Sequence, residues 1–132
     1  MATRSFIARY NPDTEDYTAI YCHWDGYPTG VGLTLRDHYN TTESVDVLMK
    51  LGDISSLRDT LEETMPEAYS VRGDTNTEAT THKYRHDMFD DFRNRWCEYG
   101  YIWKDGVWEC VSLNPEYINL YADHLTNEAA NV

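Results

Sequence analysis

Cysteine is too scarce and too scattered in this chain to organise it. The three residues, Cys22, Cys97 and Cys110, form no CxxC pair, which argues against a disulfide framework or a zinc knuckle and leaves reduced, partly buried thiols. Long apolar runs are missing as well. The opening MATRSFIARY lacks the apolar stretch of a signal peptide, and nowhere do about eighteen apolar residues occur together. The expectation is a cytosolic protein without a membrane partner. Basic residues are few, 11 against 23 acidic ones for a net charge of −12. That balance argues against direct binding to a nucleic-acid backbone and favours a basic partner. The catalytic templates are incomplete too. There is no GxSxG for a serine elbow and no HExxH for zinc. The one GxG, at Gly30 and Gly32, lacks the third glycine of a dinucleotide fingerprint and the Gly-Lys-Ser/Thr of a Walker loop. No enzyme activity, cofactor or bound metal is therefore expected.

What is present is enough apolar surface for one core. At 132 residues with 41% hydrophobic content, the chain has the size of a single domain, residues 1–132, that buries roughly two-thirds of its unfolded surface. RSFIARY and DYTAIYCHW, separated by the turn-forming NPDTED, read as an N-terminal hairpin whose second strand is apolar on both faces. Helices are predicted in TGVGLTLRDHY, with Thr29 as N-cap, and in TTESVDVLMKLGD, with Thr41 or Thr42 capping and Gly52 closing. A short helix is expected in DISSLRDTLEETMPEAY, halted before Pro66. SVRGDTNTEATT, residues 70–81, reads as a loop. Tyr84, Met88, Phe92 and Trp96, at steps of four, predict a helix from HKYRHDMF onward. Asp105-Gly106 between two aromatic alternating runs calls for a type I′ hairpin in which paired residue numbers sum to 211. Trp103 then faces Trp108 and Tyr101 faces Cys110. A closing helix is expected in PEYINLYADHL. The fold class is α+β, a single antiparallel sheet of about four strands from two hairpins, with the helices packed on one face.

Three constellations carry possible chemistry. The first is YCHWDGYPTGVG. It is suited to a strand-to-helix corner with Asp25 and Gly26 turning the chain. It is equally suited to a pocket in which His23, Trp24, Asp25 and Tyr27 face backbone amides near Gly30 and Gly32 that hold an anion. The second is the pair His82 and His86, four apart and followed by Asp87, the spacing of metal ligands on a helix face and the basis of a minor reading as a metal-dependent hydrolase. The third is the acidic middle, Glu43, Asp46, Asp53, Asp59, Glu62, Glu63 and Glu67. Eleven tyrosines and four tryptophans accompany it. A Tyr/Trp surface bordered by carboxylates suits a basic groove, where carboxylates take the places of phosphates.

The run IYCHWDGYPTGVGLTLRDHY, followed by LMKLGDISSL after a start close to MATRSFIA, resembles a family of small, mostly uncharacterised bacteriophage and prophage proteins. So does the aromatic hairpin YGYIWKDGVWECV. The first two runs cover about a third of the chain, while TMPEAYSVRGDTNTEATTH matches nothing in that family. The resemblance implies an accessory protein acting in the cytosol of a bacterial host, and it brings no activity with it. By analogy with small acidic phage proteins, the expected function is to bind and inhibit a host defence complex, of anti-CRISPR or anti-restriction type, with nucleic-acid mimicry as the device. The partner is then a host protein or nucleoprotein complex with a basic groove, and a homodimer is left open. The alternative is a protein that sequesters a nucleotide-like signal at the His-Trp-Asp-Gly-Tyr-Pro corner.

Overall fold

Period-two alternation builds the two hairpins as expected. The computed structural model describes residues 2–113, so the helix predicted in PEYINLYADHL, with His124, lies outside the described residues. β1 (Arg4–Asn11) pairs antiparallel with β2 (Asp16–Cys22), and β4 (Cys97–Lys104) with β5 (Val107–Ser112). Asp105 and Gly106 take φ of 54° and 78°, the two positive values a type I′ turn needs. Trp103 faces Trp108, Tyr101 faces Cys110 and Tyr99 faces Ser112, the register set by that turn.

The sheet itself is mixed and five-stranded, in the order β3-β2-β1-β4-β5. The two hairpins meet first strand to first strand, and β1 runs parallel to β4. Parallel neighbours cannot be joined by a tight turn. β2 brings the chain back to the end where β1 begins, Cys22 lying opposite Ser5 and Cys97 opposite Arg4. Residues 23–96 make the crossover between them, carrying α1 (Leu33–His38), α2 (Thr42–Leu51), α3 (Leu61–Thr64) and α4 (Arg85–Arg93). The fifth strand, β3 (Thr80–His82), pairs with β2 at the edge. It falls at the end of the segment read as loop, because three residues of low apolar content display no alternation.

Helices cover both faces of the sheet, not one. Ile7, Ile20, Tyr101, Trp103 and Trp108 pack under Val31 and Leu35 near the first helix and Val45, Leu48 and Met49 of α2. Phe6, Ala8, Ala19, Tyr21 and Ile102 pack under Met88 and Phe92 of α4. The reason lies in β1 and β2, whose adjacent residues Phe6-Ile7-Ala8 and Ala19-Ile20-Tyr21 are apolar on both sides. A strand of that kind is stable only with both faces covered.

The helix ends follow local chemistry. Thr41 accepts the Ser44 N–H and Ser44 Oγ accepts the Thr41 N–H, a reciprocal cap for α2, and Gly52 closes that helix at φ 73°. Thr29 does not cap. The chain enters α1 through a π-helical turn, Pro28–Gly32, preceded by Tyr27, which makes no capping bond. α4 stops at Arg93, short of Trp96. Trp96 instead adopts φ 66° and stands 75% exposed, because the backbone must reverse there to enter β4.

Candidate functional site

Beyond Cys22 the corner continues alongside residues 53–55 as an extra strand pairing. Ile54 N–H donates to Tyr21 O at 2.8 Å, and Trp24 N–H donates to Ser55 O at 2.9 Å. Ser55 N–H in turn donates to Glu67 O at 2.8 Å, so three extended segments lie side by side. Asp25 then turns the chain at φ 57°. Gly26 is required for close approach, since a Cβ there would lie 2.7 Å from that of Ser5. Its carbonyl accepts the buried Tyr101 hydroxyl at 2.6 Å. Gly30 packs on the Asp25 carbonyl, 2.3 Å from where a Cβ would sit. Gly26 and Gly30 of the motif are thus explained by close packing.

That packing consumes the amides assigned to an anion. Gly30 N–H donates to Tyr27 O and Val31 N–H to Asp25 O, both at 2.9 Å, and Gly32 is buried. The four side chains of the motif divide into two pairs of contacts. His23 Nδ1 lies 2.8 Å from the Tyr21 hydroxyl, and its ring meets Trp24 edge-on at 4.8 Å. Burial, and then the charge of Arg4, lower the His23 pKa. Tyr27 donates to Asp25 at 3.3 Å. Trp24 and Tyr27 are 44% and 40% exposed.

The acidic residues separate into structural and free groups. Asp53 is buried. One of its carboxylate oxygens accepts the Tyr21 N–H at 2.8 Å, and the other accepts Arg95 Nη2 at 3.0 Å. The Arg95 guanidinium lies 4.4 Å over the Tyr21 ring. Asp46 pairs with Arg9 at 2.6 Å, and Glu67, half-buried, with Arg58 and Arg72. These three are therefore not part of a free acidic face, because each carboxylate is taken up in holding its neighbours. Glu43, Asp59, Glu62 and Glu63 are exposed, and Asp59 lies 3.7 Å from His38 Nε2. The Arg58 guanidinium, held by Glu67, also feels the charges of Glu63 and Asp25. Met65, at the end of α3, is 44% exposed. Asp25, Asp59, Glu62 and Glu63 are thus exposed together with Trp24, Tyr27 and Met65, on the corner and on the segment 59–65 that follows its strand partner Ser55, with Arg58 among them.

The histidines do not pair as metal ligands. His86 is exposed, stacked on Tyr84 at 5.7 Å and 3.3 Å from Asp87. His82 is buried at the sheet edge, and among the described residues no group of three His, Cys, Asp or Glu is placed to hold a metal. His82 belongs to β3, not to the helix that would have aligned it with His86. It faces a cavity of about 420 Å³ between β3 and the end of α4, lined also by Thr80, Thr81, Asp91, Phe92, Asn94 and Arg95.

No family model, curated protein or solved structure matches the chain. The reading of these residues accordingly rests on their geometry. The described residues contain no helix long and apolar enough to cross a membrane. The three cysteines are buried, and burial pushes the thiols of Cys22 and Cys97 up to about 12. At neutral pH both are protonated and poor nucleophiles.

Sequence reasoning missed the cavity, because its two walls are far apart along the chain. A signal was present in Thr80-Thr81-His82, where residues two apart share a face once the segment is a strand. Without apolar alternation, nothing marked the segment as one.

Proposed function

We propose that the chain is a binding protein that seats its acidic, aromatic-edged face in the basic groove of a bacterial defence complex, in the manner of a phage accessory protein of the anti-CRISPR or anti-restriction kind. The observation that carries this reading is the exposure of four carboxylates, Asp25, Asp59, Glu62 and Glu63, and of Trp24, Tyr27 and Met65 on the corner and the segment 59–65. Carboxylates in such a face accelerate encounter with a basic groove and fix orientation, while the aromatic side chains supply rigid contact area. The corner supports this reading better than it supports a nucleotide-like ligand, because its Gly30 and Val31 amides are already used internally.

The test expresses the chain in bacteria with an active CRISPR or restriction system and measures phage infection. The parent should restore infection. A variant carrying Asp59→Lys, Glu62→Lys and Glu63→Lys should lose that effect while melting at the parent temperature, since all three side chains are exposed. Capture of the defence complex by the parent should weaken steeply with salt. Full protection by the charge-reversed variant, or capture that holds steady at high salt, refutes the electrostatic reading.

A further inference from the structure

The edge strand holds a hydroxyl, an imidazole and a carboxylate in series. Thr80 and His82 lie two apart on β3 and share the face beneath α4. Thr80 Oγ1 is 2.7 Å from His82 Nε2, and His82 Nδ1 is 3.4 Å from an Asp91 carboxylate oxygen. The ring is buried and tilted against Phe92, 5.8 Å between centroids.

The chemistry of these groups assigns the proton. Asp91 lies at ion-pair rather than hydrogen-bond distance from Nδ1, and a carboxylate on that side favours the neutral tautomer with its hydrogen on Nδ1. Nε2 is then an acceptor, and the Thr80 hydroxyl donates to it. Burial holds the His82 pKa below its usual value, against the opposing charges of Asp91 and Asp87 on α4, so the ring is neutral at physiological pH. Thr80 is exposed, and Asn94 and Arg95 line the same cavity; their backbone amides donate to Asp90 O and Phe92 O, which leaves the side-chain amide and guanidinium as the donors. Arg95 is steadied there by Asp53. A nucleophile hydrogen-bonded to a base, the base oriented by a third group, and donors nearby for an oxyanion are the requirements for acyl transfer.

We propose that Thr80, His82 and Asp91 form a nucleophilic relay that accepts the acyl group of a small ester within the cavity beside β3. In the first step Thr80 Oγ1 bonds to the ester carbonyl carbon as its proton passes to His82 Nε2, and the carbonyl electron pair moves to oxygen beside Asn94 and Arg95. The tetrahedral species collapses, and the C–O bond to the alcohol breaks as that alcohol takes the proton from Nε2. Acyl-Thr80 remains. Water, giving its proton to Nε2, attacks the acyl carbon, and the proton returns to Thr80 as the carboxylic acid leaves. The net change is ester plus water to acid plus alcohol.

The test incubates the full chain with p-nitrophenyl acetate, follows release of nitrophenol, and maps acetylation by peptide mass spectrometry. Acetyl is expected on Thr80, whose hydroxyl bonds His82, ahead of Thr81, which lines the same cavity. The rate should rise with pH through the titration of His82 and reach a plateau. His82→Gln should slow Thr80 labelling about a hundredfold, the usual scale of general-base catalysis, and Asp91→Asn about tenfold. Thr80→Ser should retain labelling at that position and Thr80→Ala abolish it. Because Asp91 and Thr80 are exposed, their variants keep the test decisive if His82→Gln fails to fold. Equal acetylation of Thr80 and Thr81, or a Thr80 rate unchanged in Asp91→Asn, overturns the proposal.

Discussion

Replacing Gly100 with alanine tests how the sheet carries α4. Gly100 sits opposite Phe6 across the parallel β1–β4 pair, and a Cβ at this position would lie 2.1 Å from Phe6 Cε2 and 2.2 Å from Cζ. Ordinary carbon contacts are about 3.5–4 Å, so the ring must retreat by about 1.5 Å. It has nowhere to go. The Phe6 ring stacks on Phe92 at 4.9 Å and meets Phe89 at 5.8 Å, so its movement lifts α4 from the sheet. Overpacking of this kind costs about 1–3 kcal/mol. In a domain of this size each kcal/mol lowers Tm by about 3–5 °C, which gives an expected fall of roughly 3–15 °C for Gly100→Ala. Urea denaturation should show the same loss as a lower midpoint with an unchanged slope. Phe6→Leu in the same chain makes room for the methyl, so the double variant should be more stable than the sum of the two single losses by about 1 kcal/mol or more. A Gly100→Ala protein that melts within about 2 °C of the parent, or strict additivity with Phe6→Leu, refutes this account of the α4 contact.

His82 makes stability depend on pH with a definite sign. Its folded pKa is lowered by burial from an ordinary 6.5, so above that value it is neutral in both states and contributes no pH dependence. As the pH falls below about 6.5 the unfolded chain takes up a proton that the folded chain resists, and stability declines until the lowered folded pKa is reached. His23, lowered by its burial and by Arg4, adds a decline of the same sign. Denaturation midpoints at pH 7.5 and 5.5 should therefore differ more for the parent than for His82→Gln, and equal differences would exclude His82 as a source. Asp53→Ala leaves the buried Tyr21 N–H without its acceptor and is expected to cost about 1–3 kcal/mol in chemical denaturation. Arg95→Ala should cost less, because its side chain is 40% exposed and exposed ion pairs contribute little.

Local signals were the legible ones. Asp105-Gly106 specified both a turn and, through it, the pairing of every residue from Tyr99 to Ser112. Thr41 and Gly52 marked α2 because capping depends on a few neighbouring residues. The apolar character of both faces of β2 was visible too, and it implied helices on two sides even though one side was expected. What depends on distant partners was not visible. Nothing in YGYIW says that β4 would lie parallel to RSFIARY. Asp53 looked like its acidic neighbours, since its burial is imposed by Tyr21 and Arg95, which fold against it from elsewhere in the chain. Steps of four carried the helical reading through to Trp96, although the buried stripe of α4 consists only of Met88 and Phe92. The corner motif was recognised as a unit, but the role of its glycines, accommodating Ser5 and Asp25, emerges only in three dimensions.

The β1–β4 pairing also governs how the chain reaches its fold. Each hairpin closes over a short turn and can form within microseconds, whereas joining Arg4 to Cys97 requires closure over the 93 positions that separate them. High contact order of this sort slows folding. During that search the hairpins expose the edges that should meet, β1 of one and β4 of the other, and each is open to pairing with the same strand of another molecule. Crowded synthesis would therefore favour exchange of whole hairpins between chains. The crossover that brings the corner, α3 and β3 into place comes with a kinetic exposure to domain swapping.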